Sequence, residues 1–235
     1  MQTLRLGRSS IETTRLAYGC WRIADAGIDG RAAVVTAYEA GHRLFDMEAI
    51  DLYLLHRPDF LADPAEIAAA FAQLHDAGKV RWFGVSNFRP SLVAALQAAC
   101  PLPLVVHQVE ISLARIDALI DGVLDQCLEH GIAPMAWSPL GAGLLGDGAR
   151  RLLPAQRAYR PDGVVTAIDD VARDRGVNRT VIALAWLLKH PSGIVPIVGS
   201  TDPQRIRDAV RATELELTRE EWYELLVAAR GEALP

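Results

Sequence analysis

His56 is the first residue whose placement could carry chemistry. It closes the run Ile50-Asp-Leu-Tyr-Leu-Leu-His56, apolar apart from Asp51 and the Tyr53 hydroxyl, and Arg57, Pro58 and Asp59 end that run. Such a pattern predicts a buried strand. Side chains alternate along a strand, so Ile50, Leu52, Leu54 and His56 share one face and Asp51, Tyr53 and Leu55 the other. An imidazole at a strand end can hydrogen-bond a polar substrate or exchange a proton near neutral pH. Taken alone, His56 fits a strand-end cap equally well. By type and place alone, Ser86 and Asn87 where the run 80–85 ends, Gln108 inside 104–109, Trp137 at the end of 132–137, and Gly199-Ser200-Thr201 before a helix near Pro203 have polar or aromatic chemistry but no assigned role. A carboxamide side chain offers a donor and an acceptor, an indole a flat face for stacking, and a helix start free N–H groups for phosphate. Singly, each has a plainer reading. Trp137 fits core packing, Asn87 and Gln108 loop caps, Ser200, Thr201 and Asp202 a helix cap, and Arg205 a surface charge.

The elements that must position these groups alternate in type. Residues 2–17 read as a polar hairpin turning at Gly7-Arg8-Ser9-Ser10. Strands are predicted over 15–21, 42–46, 50–56, 80–85, 104–109, 132–137 and 194–198. Helices are predicted over 31–40, 64–77, 90–99, 118–129, 164–175, 179–189, 203–213 and 218–229, with a glycine-rich loop at 141–148. Asp63, Pro64 and Gly78 frame one helix, and Asn178 starts another. Alternating strands and helices imply a parallel sheet with helices outside, and single helices between short apolar strands favour a (β/α)₈ TIM-type barrel in a single domain over 1–235. In such a barrel the C-terminal strand ends hold the chemistry. No G-x-G-x-x-G follows the first strand. The strand count reaches seven. Only three residues separate Asp46 from Ile50, whereas parallel neighbours need a crossover of about a dozen or more. The barrel is therefore expected to be incomplete, lacking about one strand and two helices after its second strand, with open edges beside the gap.

Composition bounds the function. The 235 residues are 51% hydrophobic and 23% charged, with a net charge of -5, and the pI is about 5.7. No lysine-arginine cluster points to nucleic acid or an anionic membrane surface. No apolar run approaches the roughly 18 residues of a membrane span, and residues 1–10 do not read as a signal peptide. Cys20, Cys100 and Cys127 are few, odd in number and widely spaced, which suits a reducing cytoplasm and no metal site.

Six stretches together resemble the aldo-keto reductase family: Gly41-His-Arg-Leu-Phe-Asp46, Asp51-Leu-Tyr-Leu-Leu-His-Arg-Pro-Asp59, Gly78-Lys-Val-Arg-Trp-Phe-Gly-Val-Ser-Asn-Phe88, His107-Gln-Val-Glu-Ile-Ser112, Ala136-Trp-Ser-Pro-Leu-Gly141, and Ile197-Val-Gly-Ser-Thr201 followed by Arg205. They occur in the family's order and span nearly the whole chain. The resemblance implies an oxidoreductase that reduces small aldehydes or ketones with NADPH. Of the family's catalytic Asp, Tyr, Lys and His, it assigns the Asp to Asp46 and the His to His56. Asp51 stands where the family has its tyrosine, and no lysine lies between Asp46 and His56. It further implies that Ser86, Asn87 and Gln108 hold the nicotinamide carboxamide and that Trp137 stacks on the ring. Ser138 and Leu140 would line the pyrophosphate path, with Gly199, Ser200 and Thr201 around the phosphates. Arg205 would hold the 2′-phosphate, Asp208 contact the adenine, and Trp21 line the substrate pocket. The alternatives are a nucleotide-binding remnant without turnover and a phosphate-sugar barrel of other chemistry. The last leaves Asn87, Gln108 and Trp137 unexplained.

Overall fold

The computed structural model describes residues 3–19, 49–147 and 162–234. The predicted strand 42–46 and helix 31–40 lie outside them. The elements in chain order are β1 (Thr3–Arg5), β2 (Glu12–Thr14), β3 (Ala17–Tyr18), β4 (Ile50–Leu55), α1 (Pro64–Asp76), β5 (Val80–Ser86), α2 (Pro90–Ala99), β6 (Leu104–Glu110), a short 3₁₀ turn (Asp117–Leu119), α3 (Val123–His130), β7 (Ala133–Trp137), α4 (Asp162–Arg175), α5 (Arg179–Leu188), β8 (Val195–Val198), α6 (Pro203–Arg211) and α7 (Arg219–Arg230). Six of the described strands form one curled sheet in the order β3-β8-β7-β6-β5-β4, parallel throughout, and β1 and β2 form an antiparallel hairpin. This is an α/β half-barrel.

Local chemistry explains most of the helix ends. The Asp63 carboxylate accepts the Ala65 N–H at 2.8 Å, Pro64 occupies the first turn of α1, and Phe71 on its inner face stacks on Phe83 of β5 with ring centroids 4.2 Å apart. Asn178 accepts from the Val181 N–H to start α5, and Thr218 and Glu221 cap α7 reciprocally. Every residue of α5 after Arg179 is buried. Its Trp186 stacks on Trp222 of α7 at 5.2 Å, and each indole N–H donates to the other residue's backbone carbonyl, at 3.1 and 3.0 Å. These exchanged bonds satisfy two buried indole donors where the helices meet.

Two expectations need correction. The helix expected over 118–129 is broken: a 3₁₀ turn ends at Leu119, and α3 starts only at Val123. Gly122 between them sits at φ 87, a left-handed conformation that interrupts a helix. The run 50–55 is a strand, but not a buried one. Ile50 is 38% and Tyr53 40% exposed, because among the described residues β4 pairs only with β5 and forms the sheet edge. An apolar strand sequence reports burial only when both neighbours are present. The facing assignment holds: Leu52 and Leu54 pack in the inner cluster with Val106, Ala133 and Val195, away from Tyr53.

The hairpin covers one end of the inner cluster. Leu6 is buried in that inner cluster, with Leu4 and Ile11 packed against it. A side chain at Gly7 would meet the carbonyl oxygens of Val105 and Gly131.

Candidate functional site at the strand ends

The parallel sheet brings most of the sequence-selected groups to one rim. Register aligns Ser86 of β5 with Gln108 of β6, Gln108 with Met135 of β7, and Glu110 with Trp137. Ser86, Gln108 and Trp137 therefore share the inner face. His56 follows directly after β4 and is exposed.

Asn87 is the hub. It stands in the left-handed region at φ 61, where Asn is tolerated better than most residues. Its N–H donates to the Gln108 carbonyl at 3.0 Å. Its side-chain Nδ2 donates to the His56 carbonyl at 3.2 Å and to Ser86 Oγ at 2.9 Å, while its Oδ1 accepts from Trp137 Nε1 at 2.9 Å. One residue thus ties together the ends of β4, β5, β6 and β7. The indole of Trp137 is held by its N–H at Asn87 Oδ1. Ser86 is buried, Gln108 and Trp137 half-buried.

Beyond Trp137 the chain turns sharply. Ser138, Gly141, Ala142 and Gly143 all have positive φ, and Ser138 and Leu140 carbonyls accept from Gly141 and Gly143. Asp147 then anchors the loop on α5: its carboxylate accepts from the Thr180 N–H at 3.1 Å and hydroxyl at 2.6 Å.

At the other end of the rim, the Tyr18 hydroxyl of β3 donates to the Ser200 carbonyl at 3.0 Å. Ser200 Oγ accepts the Asp202 N–H at 3.2 Å. The N–H groups that start α6 are already engaged: Asp202 Oδ1 accepts from Gln204 at 2.8 Å and Arg205 at 3.4 Å. Gly199 and Thr201 are exposed beside them. Arg205 is exposed and lies 3.8 Å from Asp202. Asp208 is buried, accepting from Gln204 Nε2 at 3.0 Å. Asp46 and Trp21 lie outside the described residues.

The residue types alone gave no reason to single out His107. It occupies the face of β6 opposite Gln108, beside Val85 and Pro134, and is wholly buried. Neither ring nitrogen has a hydrogen-bond partner of good geometry. Burial pushes its pKa down to about 4, the Phe88 backbone pulling weakly the other way. His107 is thus neutral in the fold, while in the unfolded chain it protonates near 6.5. The unfolded state binds the extra proton, so this group's stabilising contribution is present above about pH 6.5 and lost as pH falls through 4. Summed over that window the loss is about 3 kcal/mol. Urea unfolding at pH 7 and pH 4.5 should show most of it, and His107→Leu should flatten the difference. An unchanged pH slope in the variant would assign the acid sensitivity elsewhere.

Among the described residues no helix is long and apolar enough to cross a membrane, and no cluster of His, Cys, Asp and Glu could hold a metal ion.

Comparisons with known proteins bear on the family and the fold. The model of the Aldo/keto reductase family matches residues 24–227. A 6-dehydroglucose reductase of Novosphingobium aromaticivorans is 47% identical over 189 residues, 80% of this chain and 60% of that protein. A 6-dehydroglucose reductase of Agrobacterium fabrum is 40% identical over 82% of this chain and 61% of its own. The oxidoreductase YdhF of Escherichia coli is 41% identical over 79% and 59%. The chain thus spans about 60% of the length of these curated relatives. In fold it is similar to the crystal structure of a thermostable aldo-keto reductase, Tm1743, determined with the inhibitor epalrestat. The TM-score is 0.82 at 24% identity, covering 97% of this chain and 100% of that one. The parallel sheet with its rim of Ser86, Asn87, Gln108 and Trp137 and the match over most of the sequence lead to one conclusion: the chain belongs to the aldo/keto reductase family.

Proposed function

We propose that this chain binds NADPH along the strand-end rim and is an oxidoreductase of small aldehydes and ketones whose turnover is weak in this form. The observation that carries the reading is the Asn87 hub, which presents Ser86, Gln108 and the Trp137 indole together on one face. That set fits a nicotinamide: carboxamide and hydroxyl groups for its amide, an indole face for its ring. Ser138 and Leu140 lie on the path onward to Ser200, Thr201 and Arg205, which suit the phosphates, and Asp208 the adenine. NADPH, when bound, supplies the reducing equivalent. His56 would hydrogen-bond the carbonyl oxygen and polarise it. The names of two relatives turn the substrate towards an oxidised sugar. Few cysteines and the absence of a basic patch favour a cytoplasmic protein acting on a small molecule, without nucleic acid or membrane as partner.

The weak step is protonation of the product alkoxide. Asp51, at the family's tyrosine position, is the second residue of β4, about 16 Å along the strand from His56, and is exposed and ion-paired with Arg81. Tyr53 points to the opposite face. The Tyr18 hydroxyl is spent on Ser200 and its ring packs with the outer cluster of Leu16, Val181 and Val198. With no tyrosine acid positioned beside His56 among the described residues, turnover should be lower than that of a full-length relative by about 10² to 10⁴-fold. Titrating the chain with NADPH under tryptophan fluorescence, then assaying aldehyde reduction, checks both halves. Saturable quenching with slow turnover is expected. Turnover equal to that of a full-length relative would refute the impairment, and no quenching would refute the cofactor reading.

A further inference from the structure

We infer that Asp202 is a specificity-determining residue that opposes a 2′-phosphate, so that this chain accepts NADH at least as well as NADPH. The inference rests on the reading above, that Arg205 faces the adenosine end of a dinucleotide, and concerns what surrounds that arginine.

Asp202 does two things at once. One carboxylate oxygen caps α6 by accepting from the Gln204 and Arg205 N–H groups, and the other lies 3.8 Å from Arg205 Nε. The cap fixes the carboxylate, because turning it away uncaps the helix. A dianionic phosphate approaching Arg205 therefore meets a fixed negative charge within a few ångströms, and it must compete for the helix N–H groups that would otherwise attract it. The next turn adds a second carboxylate. Asp208 is buried, held by Gln204 Nε2 at 3.0 Å and lying 3.9 Å from Arg211 Nη1. Gln204 is drawn into the same network, since its Oε1 accepts from Arg207 Nη2 at 2.9 Å. Gly199, on the approach from β8, contributes no side chain, although a Cβ there would meet only the Gly19 oxygen at 3.6 Å. The arginine that should select the phosphate thus already has one carboxylate, Asp202, as its partner.

A ribose hydroxyl behaves differently at the same place. It can donate a hydrogen bond to a carboxylate, which is how acidic residues favour the unphosphorylated dinucleotide in other folds. The same Asp202 therefore repels one cofactor and can hold the other.

The test uses the full 235-residue chain and its Asp202→Asn variant, titrated separately with NADH and NADPH by tryptophan fluorescence at low and at moderate salt. Asn caps a helix about as well as Asp, so the substitution removes the charge and keeps α6. For the wild type, NADH is expected to bind as tightly as NADPH or more tightly. The variant should bind NADPH roughly tenfold more tightly at low salt, with the gain shrinking as salt screens the charge. NADH should stay level or weaken. Equal changes for both cofactors, or none, would overturn the role of Asp202 while leaving the cofactor site standing. A wild type that prefers NADPH tenfold or more would overturn it as well. Binding of neither dinucleotide to either protein would overturn the site reading and this inference together.

Discussion

Gly7→Ala should lower the stability of the chain by about 3–5 kcal/mol, combining the cost of a left-handed alanine with that of overpacking. The hairpin turn places Gly7 at φ 54, and a Cβ there would come 2.3 Å from the Val105 oxygen, 2.8 Å from the Gly131 oxygen and 3.1 Å from the Ala133 nitrogen. All three are backbone atoms, and none can rotate aside. Relief requires lifting the hairpin off β6 and β7, which uncovers Leu6 and the inner cluster with it. Gly78→Ala is the matched control. That glycine is also left-handed, at φ 68, but a Cβ there meets nothing within 4 Å, so only the backbone term of about 1–2 kcal/mol applies. Urea midpoints of the two variants separate close approach from backbone conformation. Equal losses would mean that the hairpin is not seated as described.

Trp186→Ala should cost about 3–5 kcal/mol, the range for deleting a buried aromatic. Trp186 is 1% exposed. Its removal takes away the stack on Trp222 and the donor to the Trp222 carbonyl. The Trp222 indole N–H keeps its bond to the residue 186 carbonyl, since that is backbone, so one buried donor stays satisfied and α7 stays attached at one point. Trp186→Phe should recover about half of the loss, because it restores a ring but not the N–H. A loss under about 1 kcal/mol for Trp186→Ala would show that α7 contributes little to the fold. Either tryptophan change takes up a large part of the roughly 5–15 kcal/mol that stabilises a domain.

How far the sequence foretold the molecule depends on whether each signal was local. Asp63 before Pro64 and Asn178 before α5 are signals within one turn, and both helices start where they predict. The order of strands from β4 to β8 was equally legible, since each is a short apolar run between helices. What depended on distant neighbours was not. Ile50 and Tyr53 have the residue types of a buried strand, yet their exposure follows from β4 lying at the sheet edge. Gly122 lies within an otherwise helical pattern, and its left-handed conformation is seen only in the structure. The types of Ser86, Asn87, Gln108 and Trp137 were ambiguous singly and informative only as an ordered set of motifs, while Asn87's role as the tie between four strands emerged from its hydrogen bonds. Asp202 was legible as a helix cap, but its approach to Arg205 was not. His107 was hidden, because a buried imidazole looks like any core residue until its lack of partners is seen.

The sheet order also bears on how the chain is made. From β4 to β8 each strand lies beside the one that precedes it in sequence, so this part can assemble progressively during synthesis. β3 is the exception: Ala17 and Tyr18 pair with Ile197 and Val198. The hairpin, too, rests on residues near 105, 131 and 133. The hairpin and β3, synthesised before the rest of the sheet, are therefore among its last parts to be seated. Until β8 emerges, Leu4, Leu6, Ile11 and Leu16 have no complete surface to cover, and a nascent chain stalled before residue 195 should present them to chaperones.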